Sequence, residues 1–125
     1  MTPNMTPNLV LFYVADPVVS AAFYERLLGI RPEAVFPTYA AFAFGNGLSL
    51  GLWSEGAKDF VSGGSGHRSE LAFMVPDDAE VELLHELWRA MGVTIEQAPL
   101  DAVFGRTFVA RDPDGHRIRV CTPDN

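Results

Sequence analysis

Leu9-Val10-Leu11-Phe12-Tyr13-Val14-Ala15-Asp16-Pro17 and Leu71-Ala72-Phe73-Met74-Val75-Pro76-Asp77 share one pattern, an apolar run closed by an acidic residue beside a proline. Each is followed by a helical repeat that stops at a glycine, Gly29 after the first run and Gly92 after the second. In the first helix Asp16 is placed to cap, Pro17 suits the opening turn, and Val19, Phe23 and Leu27, with Ala22, fall on one face. In the second, Asp77 and Glu80 have capping-box-like spacing, and Val81, Leu84, Trp88 and Met91 form an apolar stripe. Each helix therefore has one face to lay on a sheet.

Short extended segments follow each helix. In the first half they are Glu33 to Phe36, Tyr39 to Phe44 and Leu48 to Ser54, separated by Pro37 and by the hairpin turn Gly45-Asn46-Gly47. In the second half they are Thr94 to Ala98, Phe104 to Ala110 and His116 to Cys121, separated by Pro99 and by Asp112-Pro113-Asp114-Gly115, a tetrad with turn chemistry at each position. The order strand, helix, three strands thus occurs twice within one domain over residues 8–125: repeat one over 8–56 and repeat two over 68–122. Residues 57–67, polar and containing Gly63-Gly64-Ser65-Gly66, are the expected connector, and the repeated Met1-Thr2-Pro3-Asn4 and Met5-Thr6-Pro7-Asn8 stand outside the fold. The expected class is α+β, two βαβββ repeats whose curved mixed sheets pair around a cleft.

The chain has 125 residues, 48% hydrophobic and 20% charged, which suits a single buried core. A net charge of -7 argues against nucleic acid or an anionic membrane as partner, because phosphates are held by clustered Lys and Arg. No apolar run reaches the ~20 residues that cross a bilayer. Met1 to Asn8 lacks the basic and apolar regions of a signal peptide, and the lone Cys121 suits a reducing compartment. A cytoplasmic protein is expected, with a small molecule or another protein as its partner.

Alternation along Leu48 to Ser54 puts Ser49, Gly51 and Trp53 on one face and Leu48, Leu50 and Leu52 on the other. The leucine face belongs against the helix, so Trp53 looks into the cleft, and Gly51 beside it leaves room for a flat ligand. An indole there stacks on aromatic rings, worth about 0.5–1.5 kcal/mol beyond area burial; filling the core or a dimer contact is the other role open to it. Tyr39, Phe42, Phe104 and Arg106 are candidate ligand contacts whose positions suit a core as well, and Tyr13 shares the face of Leu9 and Leu11 as an apolar floor. His67, His85 and His116 have no metal-site spacing, His85 being placed on the polar side of its helix. Cys121 is a packing residue, and no residue is expected to be catalytic.

The repeated unit, the helix end Phe23-Tyr24 to Leu28-Gly29, and Asp112-Pro113-Asp114-Gly115-His116 ahead of an apolar strand together resemble the vicinal oxygen chelate superfamily of glyoxalases, bleomycin-resistance proteins and extradiol dioxygenases. The resemblance covers the chain after Pro7. Within that superfamily, the stretches Asp101 to Phe108, Asp112 to Val120 with Cys121, and Leu52-Trp53-Ser54 are similar to the members that bind phenazine antibiotics.

Enzymes of the superfamily hold a divalent metal with His on the first strand of each unit and Glu on the last. The resemblance puts Leu9 and Glu70 at the His positions, Ser49 or Leu50 at the first Glu and Arg119 at the second. Only Glu70 is a ligand type, and a cation at Arg119 repels another, so no metal and no cofactor is expected. Glu70 and Arg119 form an ion pair, or Arg119 offers its planar fork to a ligand, and both can hold together. The implied function is non-enzymatic binding and sequestration of a small planar aromatic antibiotic, a phenazine, with stacking on Trp53 and polar contacts from Ser54, Arg106 or Arg119, conferring resistance. A metal-dependent lyase, isomerase or dioxygenase is the alternative, and a protein-interaction module that kept only the fold is a third. The superfamily commonly builds each cleft from two chains, which implies a homodimer.

Overall fold

In the computed structural model, which describes residues 6–57, 69–103 and 105–123, the chain forms two helices and eight strands. The connector beyond Ala57, His67 and Phe104 lie outside the described residues. Residues 1–63 and 64–125 make two compact units. The first holds β1 (Leu9–Val14), α1 (Pro17–Leu28), β2 (Ala34–Phe36), β3 (Tyr39–Ala43) and β4 (Ser49–Ser54). The second holds β5 (Leu71–Met74), α2 (Asp78–Ala90), β6 (Thr94–Ala102), β7 (Gly105–Arg111) and β8 (Arg117–Cys121). Each unit is βαβββ, with a four-stranded mixed sheet in the order β1-β4-β3-β2 or β5-β8-β7-β6. The first and last strands of each unit run parallel, a pairing that the intervening helix makes possible as a crossover.

The caps start the helices where the sequence places them. Asp16 Oδ1 accepts the Val18 N–H (3.0 Å), Pro17 opens α1, and Gly29 closes it at φ 70°. Asp77 Oδ1 accepts the Glu80 N–H (2.9 Å) ahead of α2. The inward face of α1 differs from the expected one. Ser20, Ala21, Phe23, Tyr24 and Leu27 are buried, whereas Val19 is 52% exposed and Ala22 is exposed. Tyr24 decides this, because its ring is fully buried and meets Phe42 edge on with centroids 6.4 Å apart, which turns Val19 toward solvent. Under α1 lie Phe12, Val14, Ala40, Phe42, Leu50 and Leu52, all buried on one face of the first sheet.

The second core is aromatic. Trp88 of α2 meets Phe108 (5.4 Å) and Phe73 (6.3 Å) edge to face, and Val81 is fully buried beside the sheet. His85 departs from its expected polar position. Four residues after Val81 and three before Trp88, its side chain is only 12% exposed, and its ring meets Phe108 at 5.3 Å.

Strand β6 also departs from expectation. It continues through Pro99 to Ala102, with register shifts between Ile95 and Gln97 and between Gln97 and Leu100. As the edge strand of its sheet it can carry a proline, whose missing N–H removes no bond on the outer side, and the irregular pairing takes up the ring. The Asp112 carboxylate organises the last turn: Oδ1 accepts the N–H groups of Asp114 (2.9 Å) and His116 (2.8 Å), and Oδ2 lies 2.8 Å from His116 Nδ1.

Candidate functional site

The first sheet has α1 on one face and an aromatic row on the other. The strand register sets Tyr13 opposite Trp53, Trp53 opposite Tyr39, and Tyr39 opposite Phe36. Paired residues project from the same face, so the row crosses all four strands of the sheet. Tyr13 and Trp53 meet edge to face with centroids 6.2 Å apart and planes at 62°. Phe36 is 59% exposed and Tyr13 39%, while Trp53 and Tyr39 are half-buried. Phe36 escaped the reading of the sequence, although the two-residue connection Pro37-Thr38 between alternating segments was the signal that sets it against Tyr39.

Alongside this row run smaller residues, with Gly51 between Leu11 and Ala41. A Cβ added at Gly51 would stand 2.6 Å from Tyr39 Oη, 2.8 Å from Leu11 Cδ1 and 3.1 Å from Tyr39 Cε1. The Tyr39 ring therefore reaches across β4, and it and Leu11 take the room that the glycine was expected to leave for a flat ligand. Leu9, Leu11, Tyr39 and Trp53 line an open groove of about 270 Å³.

The other candidates lie elsewhere. Phe42 is fully buried under α1. Ser54 is on the Leu50 and Leu52 side of β4, where its Oγ accepts the Gly56 N–H (3.0 Å). In the second unit, Arg119 Nε and Nη2 donate to the two Glu70 oxygens (3.0 and 3.1 Å), and Nη1 donates to Thr107 Oγ1 (3.0 Å). Arg106 turns to the helix side, with Nε 2.8 Å and Nη2 2.7 Å from Glu82 Oε1 and Nη1 3.3 Å from Asp101 Oδ1. The hydrogen bond to Glu82, with Asp101 behind it, raises the Arg106 guanidinium above its already high ordinary pKa. A larger recess of about 740 Å³ beside Arg106 is lined by Asp77, Asp78, Asp101 and Thr122 among others, and its guanidinium is already held by carboxylates.

The residues that the resemblance puts at metal positions do not suit a divalent cation. Leu9 faces Ser49 across the β1–β4 pairing, and Leu50 is fully buried on the helix side. Glu70 has both oxygens on the Arg119 guanidinium. No cluster of three His, Cys, Asp or Glu forms among the described residues. No helix among them is long and apolar enough to cross a membrane.

The family model of the Glyoxalase/Bleomycin resistance protein/Dioxygenase superfamily matches residues 6–120. The chain is similar to the phenazine antibiotic resistance protein EhpR of Enterobacter agglomerans, at 35% identity over 125 residues, covering 98% of this chain and 95% of that protein. It is also similar to the solution NMR structure of protein ATC0852 from Agrobacterium tumefaciens, at 40% identity and a TM-score of 0.84, covering 98% of this chain and all of that one. A glyoxalase/bleomycin resistance protein/dioxygenase from Nocardioides shares the fold at 22% identity and a TM-score of 0.81, covering 100% of this chain and 87% of that one.

Proposed function

The chain belongs to the glyoxalase/bleomycin resistance protein/dioxygenase superfamily, and from that membership we propose that it binds and sequesters a planar aromatic antibiotic of phenazine type, conferring resistance without chemical change of the ligand. The observation that carries this reading is the aromatic row on the open face of the first sheet, with Trp53 at its centre and the groove of Leu9, Leu11 and Tyr39 beside it. Flat apolar surface is what a tricyclic ring recognises. Stacking adds about 0.5–1.5 kcal/mol to the burial of its faces. The similarity to a phenazine resistance protein supports the choice of ligand class. We extend the proposal to a homodimer in the cytoplasm, which light scattering on the purified protein and cell fractionation test.

The chain has two tryptophans, and Trp88 is 4% exposed in the second unit's core, so a ligand on the aromatic row acts on Trp53 emission. Titration with phenazine is expected to quench that emission. Trp53→Ala is expected to weaken binding about tenfold or more, measured by calorimetry. Equal affinity in the variant, or no binding by the parent protein, would remove the proposal.

A further inference from the structure

Tyr39 carries a polar atom into an otherwise apolar groove. Its neighbours there are Leu9, Leu11 and Trp53, and its hydroxyl lies over Gly51. Strand β4 is bonded on both sides at that point, with Gly51 opposite Leu11 in β1 and Ala41 in β3, so the sheet's own bonding occupies the nearby backbone. Among the described residues the hydroxyl makes no hydrogen bond, and its proton is available to a guest in the groove. Gly51 precedes Trp53 by two residues, about 6.8 Å along an extended chain. The hydroxyl thus lies in the same groove as the indole, over the position two residues before it.

We propose that Tyr39 is a specificity-determining residue, whose hydroxyl donates to a ring nitrogen so that the groove prefers aza-aromatic tricycles to carbocyclic ones of the same outline. Gly51 permits this, because any Cβ at that position meets the Tyr39 ring. This inference rests on the binding function proposed above and names the feature of the ligand that the site selects.

Two probes isolate that feature: phenazine-2-carboxylate and anthracene-2-carboxylate have the same charge and tricyclic outline and differ in the two ring nitrogens. Trp53 quenching is expected to give the phenazine about three- to tenfold higher affinity, the range of one neutral hydrogen bond. Tyr39→Phe keeps the ring and is expected to bring the affinity ratio to about one. Gly51→Ala, which drives the hydroxyl off its position, is expected to level the ratio as well, with circular dichroism reporting that both variants are folded. Equal affinities in the parent protein, or a preference that survives Tyr39→Phe, would overturn the inference and leave the binding function standing. Failure of the parent protein to bind either probe would end both.

Discussion

Arg119 divides its guanidinium between Glu70 and Thr107, and the Thr107 hydroxyl in turn donates to the Val120 carbonyl (2.9 Å). The fork-to-fork geometry with Glu70 is the strong form of an ion pair, while side-chain exposures of 25% and 31% leave it partly screened. Arg119→Met is expected to lower stability by about 1–3 kcal/mol, because it strips hydrogen bonds from a carboxylate and from a threonine that is 1% exposed. Glu70→Gln is expected to cost less, about 1 kcal/mol, and urea unfolding of the single and double variants gives the coupling directly. A coupling of zero would mean that the two charges are solvated independently. The family resemblance placed Glu70 and Arg119 at equivalent points of the first and last strands of the second unit, and the parallel pairing of β5 with β8 brings them together. Thr107 was not legible, since it reaches Arg119 from a third strand whose register, Thr107 opposite Cys121, no local pattern specifies. Tyr39 was legible as an aromatic but not as the occupant of the space over Gly51, because only the side chain's direction across β4 settles that.

Strand β6 shows how an element is held when its pairing is irregular. Glu96 lies between two cations, hydrogen-bonded to Arg111 Nε and with Oε2 3.0 Å from Arg117 Nε, and so ties the edge strand to β7 and β8. The hydrogen bond from Arg111, then that from Arg117, holds the Glu96 carboxyl below its ordinary pKa. A carboxyl depressed in the folded state contributes stability that is present above its unfolded value and is lost as pH falls through the folded one. The unfolding midpoints of the parent protein and Glu96→Gln are therefore expected to differ at about pH 7 and to converge as the pH falls below the ordinary carboxylate range. A gap that persists in acid would assign the effect to packing. Among the elements, both helix starts and the final turn were legible because Asp16, Asp77 and Asp112 act locally, each bonding backbone N–H groups within four residues. The buried face of α1 was legible at Phe23 and Leu27 but not at Val19 and Ala22, which are exposed, because Tyr24 against Phe42 is a tertiary contact that apolar spacing does not specify. Pro99 misled for a related reason: it stops an interior strand, and only the sheet order reveals β6 as an edge.

The whole molecule carries a net charge of -7, which opposes the approach of anionic ligands at long range. Added salt shortens that field to about 10 Å at 0.1 M. The affinity for phenazine-2-carboxylate is expected to rise modestly with salt, and that for neutral phenazine to stay level. Calorimetry across a salt series checks this, and an affinity for the carboxylate that falls with salt would instead reveal a cation in direct contact with it. The shifted register of β6 around Gln97 and Pro99 has its own effect at this scale. A long, regular outer strand is a template on which other chains can add, growing toward fibrils. Nine residues broken by register shifts and a proline make a poor template for such growth.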